Sequence, residues 1–170
     1  MKAFNIFIST LIFFISSLAN ANEKIKFSLD WKFEGPSAIF LTSKERGYYK
    51  SSGLDVTIDS GKGSRDAIPK VASGTYPLGF ADINSVIKFL DQNPKAKVKA
   101  IMMVYDRPPF AIIGRKSLGV VKPKDLEGKI LGAPAPDGAY AQWKSFVKAN
   151  NINASTVSYT HLTLPTSRSV

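Results

Sequence analysis

Four stretches of this chain carry residues suited to holding a small polar molecule, and each stands between a strand-like run and a helix-like run. The first is Trp31, Phe33, Glu34 and Gly35-Pro36; the second is Gly61-Lys62-Gly63-Ser64. The third is Asp82 with Asn84 and Ser85, and the fourth is Pro134, Pro136, Asp137, Gly138 and Ala139. Helix N-termini offer free N–H groups and the positive end of the helix dipole, which favour anions and polar groups. Trp31 presents a flat apolar face to a ring or an alkyl chain, or packs at the sheet edge. Gly61-Lys62-Gly63-Ser64 lacks the Walker spacing of a phosphate loop, so it reads as a backbone turn touching a ligand or as a bare connector. Asp82 is a helix cap or a ligand contact. Asp137-Gly138-Ala139 can close on a ligand from the opposite side. Tyr105 joins the candidates, and Arg107 beside it can hold a carboxylate or sulfonate in a fork or stand as a solvated charge.

Catalysis is poorly supplied. The chain has no Cys and one His, His161. No Ser-His-Asp set and no metal cluster can be assembled, and scattered Asp and Glu are insufficient for acid–base work. Binding without chemistry is the expectation, with no cofactor and no metal.

The elements that position these residues follow from periodicity. Ile25, Phe27 and Leu29 alternate through Lys24 to Leu29, the period of a strand. A helix runs from Ser37 to about Arg46, with Gly47 at its left-handed C-terminal position. Leu54 to Ile58 is the second strand. Ser64 opens a second helix that ends at Gly74, with Pro69 late enough to kink it. Leu78 to Ala81 is a short third strand, and Asp82 caps a helix with Ile83, Val86, Ile87 and Leu90 on one side. Val98 to Tyr105 reads as a long apolar strand. Asp106-Arg107-Pro108-Pro109 punctuates the chain, and a second unit follows: Phe110 to Gly114, then Pro123 to Lys129, strand Ile130 to Ala133 and helix Ala139 to Asn150. Strands alternating with helices at this spacing predict an α/β fold with a parallel sheet, whose ligands sit beyond the carboxyl ends of the strands.

Several motifs in order carry a resemblance to a known family. These are the Leu29-Asp30-Trp31 opening, Lys44-Glu45-Arg46-Gly47-Tyr48-Tyr49, Gly53-Leu54-Asp55-Val56, the Gly-x-Gly-Ser of Gly61 to Ser64, and Gly79-Phe80-Ala81-Asp82. From about Ile25 to Ile152 the chain resembles the solute-binding proteins of ABC importers, in the branch that handles nitrate, sulfonates, taurine and thiamine-pyrimidine precursors. The resemblance implies a periplasmic-binding-protein type II-like fold, with a first lobe over residues 22–106 and the start of a second over 107–155. Lys124-Asp125-Leu126-Glu127-Gly128-Lys129 resembles the usual entry into that second lobe. The strand-end loops and the lobe crossing give as the expected ligand site Trp31, Gly35, Gly61, Gly63, Ser64, Asp82, Tyr105, Asp137, Gly138 and Ala139. The partners implied are a small-molecule ligand and an inner-membrane ABC permease with its ATPase, served by a monomer.

Both ends of the chain are distinctive. Lys2, an apolar run from Ala3 to Leu18, and Ala19-Asn20-Ala21 form a secretory signal peptide over residues 1–21, with cleavage expected after Ala21 and a periplasmic destination. The run is shorter than the ~20 apolar residues of a membrane span. No Cys follows it, which excludes a lipid-anchored start. Val157 to Thr166, VSYTHLTLPT, matches the translation of a short-read sequencing adapter, and Ser167-Arg168-Ser169-Val170 ends as that adapter's index and stop would. Residues 156–170 are therefore expected to be non-native, the chain to be an N-terminal fragment, and His161 to carry no function.

Setting aside Lys2 and Arg168, the 23 basic residues become 21 against 13 acidic ones, a formal charge of +8. The basic residues are dispersed and not interleaved with stacking aromatics, so nucleic acid is rejected as a partner. Two other functions compete with a solute receptor. A thiamine-pyrimidine synthase-like enzyme of the same fold needs, as the resemblance implies, a histidine and a cysteine-rich iron site that the region before residue 156 lacks. A non-functional fragment is the other, with weak or absent affinity because a two-sided clamp buries most of a ligand and one lobe cannot.

Overall fold

The computed structural model describes residues 22–160. The segment expected to be a signal peptide, to Ala21, and His161 lie outside them. Three parallel strands form the first sheet: β1 (Glu23–Ser28), β2 (Leu54–Asp59) and β3 (Leu78–Gly79), in the order β2-β1-β3. Glu23 pairs with Leu54 and Ser28 with Asp59, while Phe27 pairs with Leu78 on the other side of β1. Central β1 is thus held on both edges, and the expected strand–helix alternation is present.

Between β1 and β2 a 3-10 turn (Gly35–Ser37) runs into α1 (Ala38–Glu45). Gly47 follows with φ +72°, the left-handed conformation that lets the chain reverse into the short α2 (Tyr48–Ser51). Between β2 and β3 lies α3 (Ser64–Ala72), with Pro69 in its interior. After β3 comes α4 (Ile83–Gln92), capped by Asp82, whose carboxylate accepts the Ser85 N–H at 2.7 Å. The core of this unit sits at the carboxyl half of the sheet. Leu29 (1% exposed), Ile58, Ala67 and Ile68 are buried there. Beside them runs an aromatic ladder in which Phe27 meets Phe40 at 4.9 Å and Phe40 meets Phe80 at 5.2 Å. Phe80 meets Tyr105 edge-on at 6.0 Å.

A second, smaller unit follows. Its strand β4 (Ile130–Gly132) leads to α5 (Gly138–Ala141) and α6 (Trp143–Ala149), so the expected single helix is interrupted at Gln142. Strand β5 (Ser158–Thr160) pairs in parallel with β4. Leu126, Trp143, Ile152 and Val157 form the core here. The tail from Val157 thus contributes one core side chain and a strand, which periodicity did not anticipate.

One expectation fails. Val98 to Tyr105, read as a long apolar strand, joins neither sheet among the described residues. Nor does Phe110 to Gly114. Ile101 is 79% exposed, Met102 74% and Met103 63%, and Ile113 is 95% exposed. The composition is that of a buried strand, but β-structure needs a neighbour to pair with, and no described strand is hydrogen-bonded to it in a ladder.

Leu29 is the best-buried large side chain. Leu29→Ala is expected to destabilise the chain by about 3 kcal/mol, within the 2–5 kcal/mol usual for buried leucines. Urea unfolding followed by far-UV circular dichroism checks this; a loss under about 1 kcal/mol would place the core elsewhere.

Candidate functional site

The site begins where β1 and β2 end. The Leu29 N–H donates to Asp59 O at 2.8 Å, carrying the ladder one residue past β1. Asp30 and the half-buried Trp31 then leave the sheet. The Trp31 carbonyl accepts the Gly61 N–H at 2.9 Å and ties the two strand-end loops together. Gly61 lies so close to the Leu29 and Asp30 backbone that a Cβ there would overlap it. That close approach by itself requires a glycine here.

Ser64 opens α3 and is 1% exposed. Its hydroxyl accepts the Asp82 N–H at 2.9 Å, joining the second strand-end loop to the third. Asp82 in turn caps α4, and Gln142 of the second unit donates to both its oxygens at 3.4 Å. Gly138 is packed directly on this corner: a Cβ would meet Asp82 Cβ and Ser64 Oγ at 3.0 Å and Phe110 Cζ at 3.2 Å. Asp137 caps α5 through the Ala139 N–H at 3.2 Å, and Ala139 is half-buried beside it. Arg65 clasps the same turn, donating from its backbone to Pro136 O at 3.2 Å and from Nη1 to Ala135 O at 3.1 Å. Gly63, at φ +141°, is pressed against the Pro136 carbonyl and leaves no room for a side chain.

Of the sequence-derived residues, the structure therefore brings together Trp31, Gly61, Gly63, Ser64, Asp82, Asp137, Gly138 and Ala139. Two stand apart from the corner where Ser64, Asp82 and Gly138 meet. Gly35 is exposed with nothing near its Cα hydrogens, and Tyr105 spends its hydroxyl on the Pro36 carbonyl at 2.6 Å, strapping the first loop.

Asp30 was missed as a site residue. Burial pushes its carboxyl up to about 6; backbone N–H groups of Asp30 and Trp31 and the Ser64 hydroxyl oppose the rise, and the negative Asp137 adds to it. The signal was a carboxylate placed directly after the buried pair Ser28-Leu29. Gln142 and Arg65 were also missed, and nothing in their spacing marks them. Asp30, Asp82 and Asp137 give the corner three carboxylates. Two of them already occupy helix N-terminal N–H groups that an anion would need. Among the described residues no group of His, Cys, Asp or Glu is placed to hold a metal ion.

Residues 36–167 match the model of a family described as NMT1/THI5 like. The chain belongs to this NMT1/THI5-like family. It is 26% identical over 102 residues to the riboflavin-binding protein RibY of Chloroflexus aurantiacus, a match covering 59% of this chain and 29% of that protein. A solved structure from Bordetella bronchiseptica RB50 shares the fold, with a TM-score of 0.53 at 23% identity, covering 81% of this chain and 43% of the other. The chain thus spans less than half the length of either relative. Its architecture is α/β of the periplasmic-binding-protein type, with a first lobe and the start of a second.

Asp30 has a stability consequence with a definite sign. Its folded pKa lies above the ordinary 3.8, so its contribution is full below about pH 4 and is lost as pH rises through about 6. Asp30→Asn is expected to match the parent near pH 4 and to exceed it by about 1–2 kcal/mol near pH 7.5, after discounting for partial exposure. Urea unfolding at the two pH values checks this; equal curves at pH 7.5 would mean the carboxyl is not desolvated.

Proposed function

We propose that this chain is the ligand-gripping part of a solute receptor that serves an ABC importer and works outside the inner membrane. The observation that carries the reading is the meeting of three first-lobe strand-end loops with the Asp137-Gly138-Ala139 turn of the second lobe. A site assembled from two lobes opens and closes by hinge bending, and family membership supports the same role. Among the described residues no helix is long and apolar enough to cross a membrane. With its single histidine at His161 and no cysteine, the chain is read as a binder and not an enzyme, and as a monomer that delivers its ligand to a permease with its ATPase.

The chemistry of the corner favours one ligand class. Nitrate, sulfonates and taurine present negative oxygens, which would meet Asp30, Asp82 and Asp137. A nitrogen heterocycle instead offers ring and exocyclic N–H donors to those carboxylates and a flat face to Trp31. The thiamine-pyrimidine precursors of the family's wider branch are of this kind, and so is the flavin named for the Chloroflexus relative.

Heteronuclear NMR titration of the chain reads even weak binding. Riboflavin and 4-aminopyrimidine are expected to shift the Trp31 indole signal, and taurine and nitrate to leave it unmoved. Trp31→Ala is expected to weaken the heterocycle about tenfold, the order of one aromatic contact of ~1–1.5 kcal/mol. Sinking the reading would take no response to any of the four solutes; a response to the anions alone would move the receptor to the sulfonate and nitrate class.

A further inference from the structure

A cavity of about 360 Å³ lies between α3 and α4 of the first lobe and α5 and α6 of the second, behind the strand-end corner. That volume is at the small end of ligand pockets. Ser85, Phe89 and Trp143 are among its inner residues, while Arg65, Lys88 and Lys144 bring positive charge to it. Two lining residues also touch the strand-end corner, Arg65 through the Ala135-Pro136 turn and Ser85 through its N–H to Asp82; the other lining residues are separate from it.

Two features suit this cavity to an occupant. The first is Ser85, which is 5% exposed and whose Oγ has no hydrogen-bond partner in the structure. Buried hydroxyls are nearly always paired, and this one belongs to a residue that lines the cavity. The second is charge. The described ion pairs are Lys70 with Asp66 and Lys124 with Glu127, so Lys88 and Lys144 have no carboxylate partner among the described residues. The Arg65 guanidinium gives one N–H to Ala135 O at 3.1 Å and retains further donors. The Asp82 carboxylate is engaged by the Ser85 N–H and by Gln142.

We propose that this cavity is a second binding site, for a small aromatic acid: the ring lies against Phe89 and Trp143, the Ser85 hydroxyl donates to the ligand, and the acid group is met by Lys88, Lys144 and Arg65. The apolar inner walls favour a ring over a bare inorganic ion, and the basic residues select an anion over its neutral isostere. Because the walls come from both lobes, an occupant would favour the arrangement in which they touch, coupling this site to closure of the cleft. The proposal does not depend on the identity of the cleft ligand.

Benzoate is the probe, with benzamide as its uncharged isostere, titrated into the 170-residue chain and followed by NMR. Expected is saturable binding of benzoate, with shifts at Ser85, Lys88, Phe89 and the Trp143 indole, and binding of benzamide at least about tenfold weaker. The double variant Lys88→Gln/Lys144→Gln, altered only at exposed side chains, is expected to keep the parent melting temperature and to lose about tenfold in benzoate affinity. Ser85→Ala is expected to weaken benzoate a few-fold while leaving the preference over benzamide intact. The proposal is overturned by equal affinity for benzoate and benzamide, by a double variant that binds like the parent, or by shifts centred on Trp31. Absence of saturable benzoate binding overturns it too, and leaves the receptor reading of the cleft standing on its own test.

Discussion

One buried hydroxyl holds the described structure together. Ser64 Oγ accepts the Asp82 amide, and Gly138 of the second lobe rests against the same oxygen. Ser64 is the first residue of α3 and Asp82 caps α4, so this bond sets the start of both helices relative to the sheet. Because the bond is shielded from water, its loss would strand an amide N–H in the interior, which costs more than the net worth of an exposed hydrogen bond. Gly63 and Gly138 follow from the same constraint. Each stands where the second lobe comes so near that a side chain would collide with backbone or with the pinned corner.

Much of the first lobe was legible because its signals are local. Alternation marked β1 and β2, Asp82 marked the start of α4, and Gly47 marked the end of α1 through its need for positive φ. The strand-end rule for α/β sheets then pointed to most of the loops that meet at the Ser64–Asp82–Gly138 corner. What stayed hidden depends on partners distant in sequence. Gln142 reaches Asp82 across sixty positions, and Arg65 reaches Ala135 across seventy; neither leaves a trace in spacing. Asp30 was visible as a residue but not as a perturbed acid, since its desolvation comes from packing around the loop. Tyr105 was visible as an aromatic at the lobe crossing, but the bracing of Pro36 by its hydroxyl was not.

The expectation about helix N-termini meets carboxylates of the chain itself. Free N–H groups and the dipole favour anions in general, and on that ground each loop leading into a helix was open to a sulfonate. The structure fills those positions from within. Asp82 and Asp137 cap α4 and α5, and the Lys62 N–H donates to Asp66 in the first turn of α3 at 3.3 Å. A terminus that carries its own carboxylate has changed from an anion receptor into a hydrogen-bond acceptor. The same local sequence thus reverses the polarity of the partner it suits.

The unpaired segment from Val98 to Ile113 carries a consequence for the life of the chain in solution. Ile101, Met102 and Met103 form an uncharged, β-prone run with its side chains in water, the kind of stretch that seeds intermolecular sheet. Its borders are composed against that outcome. Lys95, Lys97 and Lys99 repel a second copy on one side, and Asp106-Arg107-Pro108-Pro109 on the other combines charge with two residues that cannot donate to a ladder. These are gatekeepers in the sense used for aggregation-prone strands. They set charge on both sides of the run and proline on one, so that a second copy cannot extend a ladder past its ends.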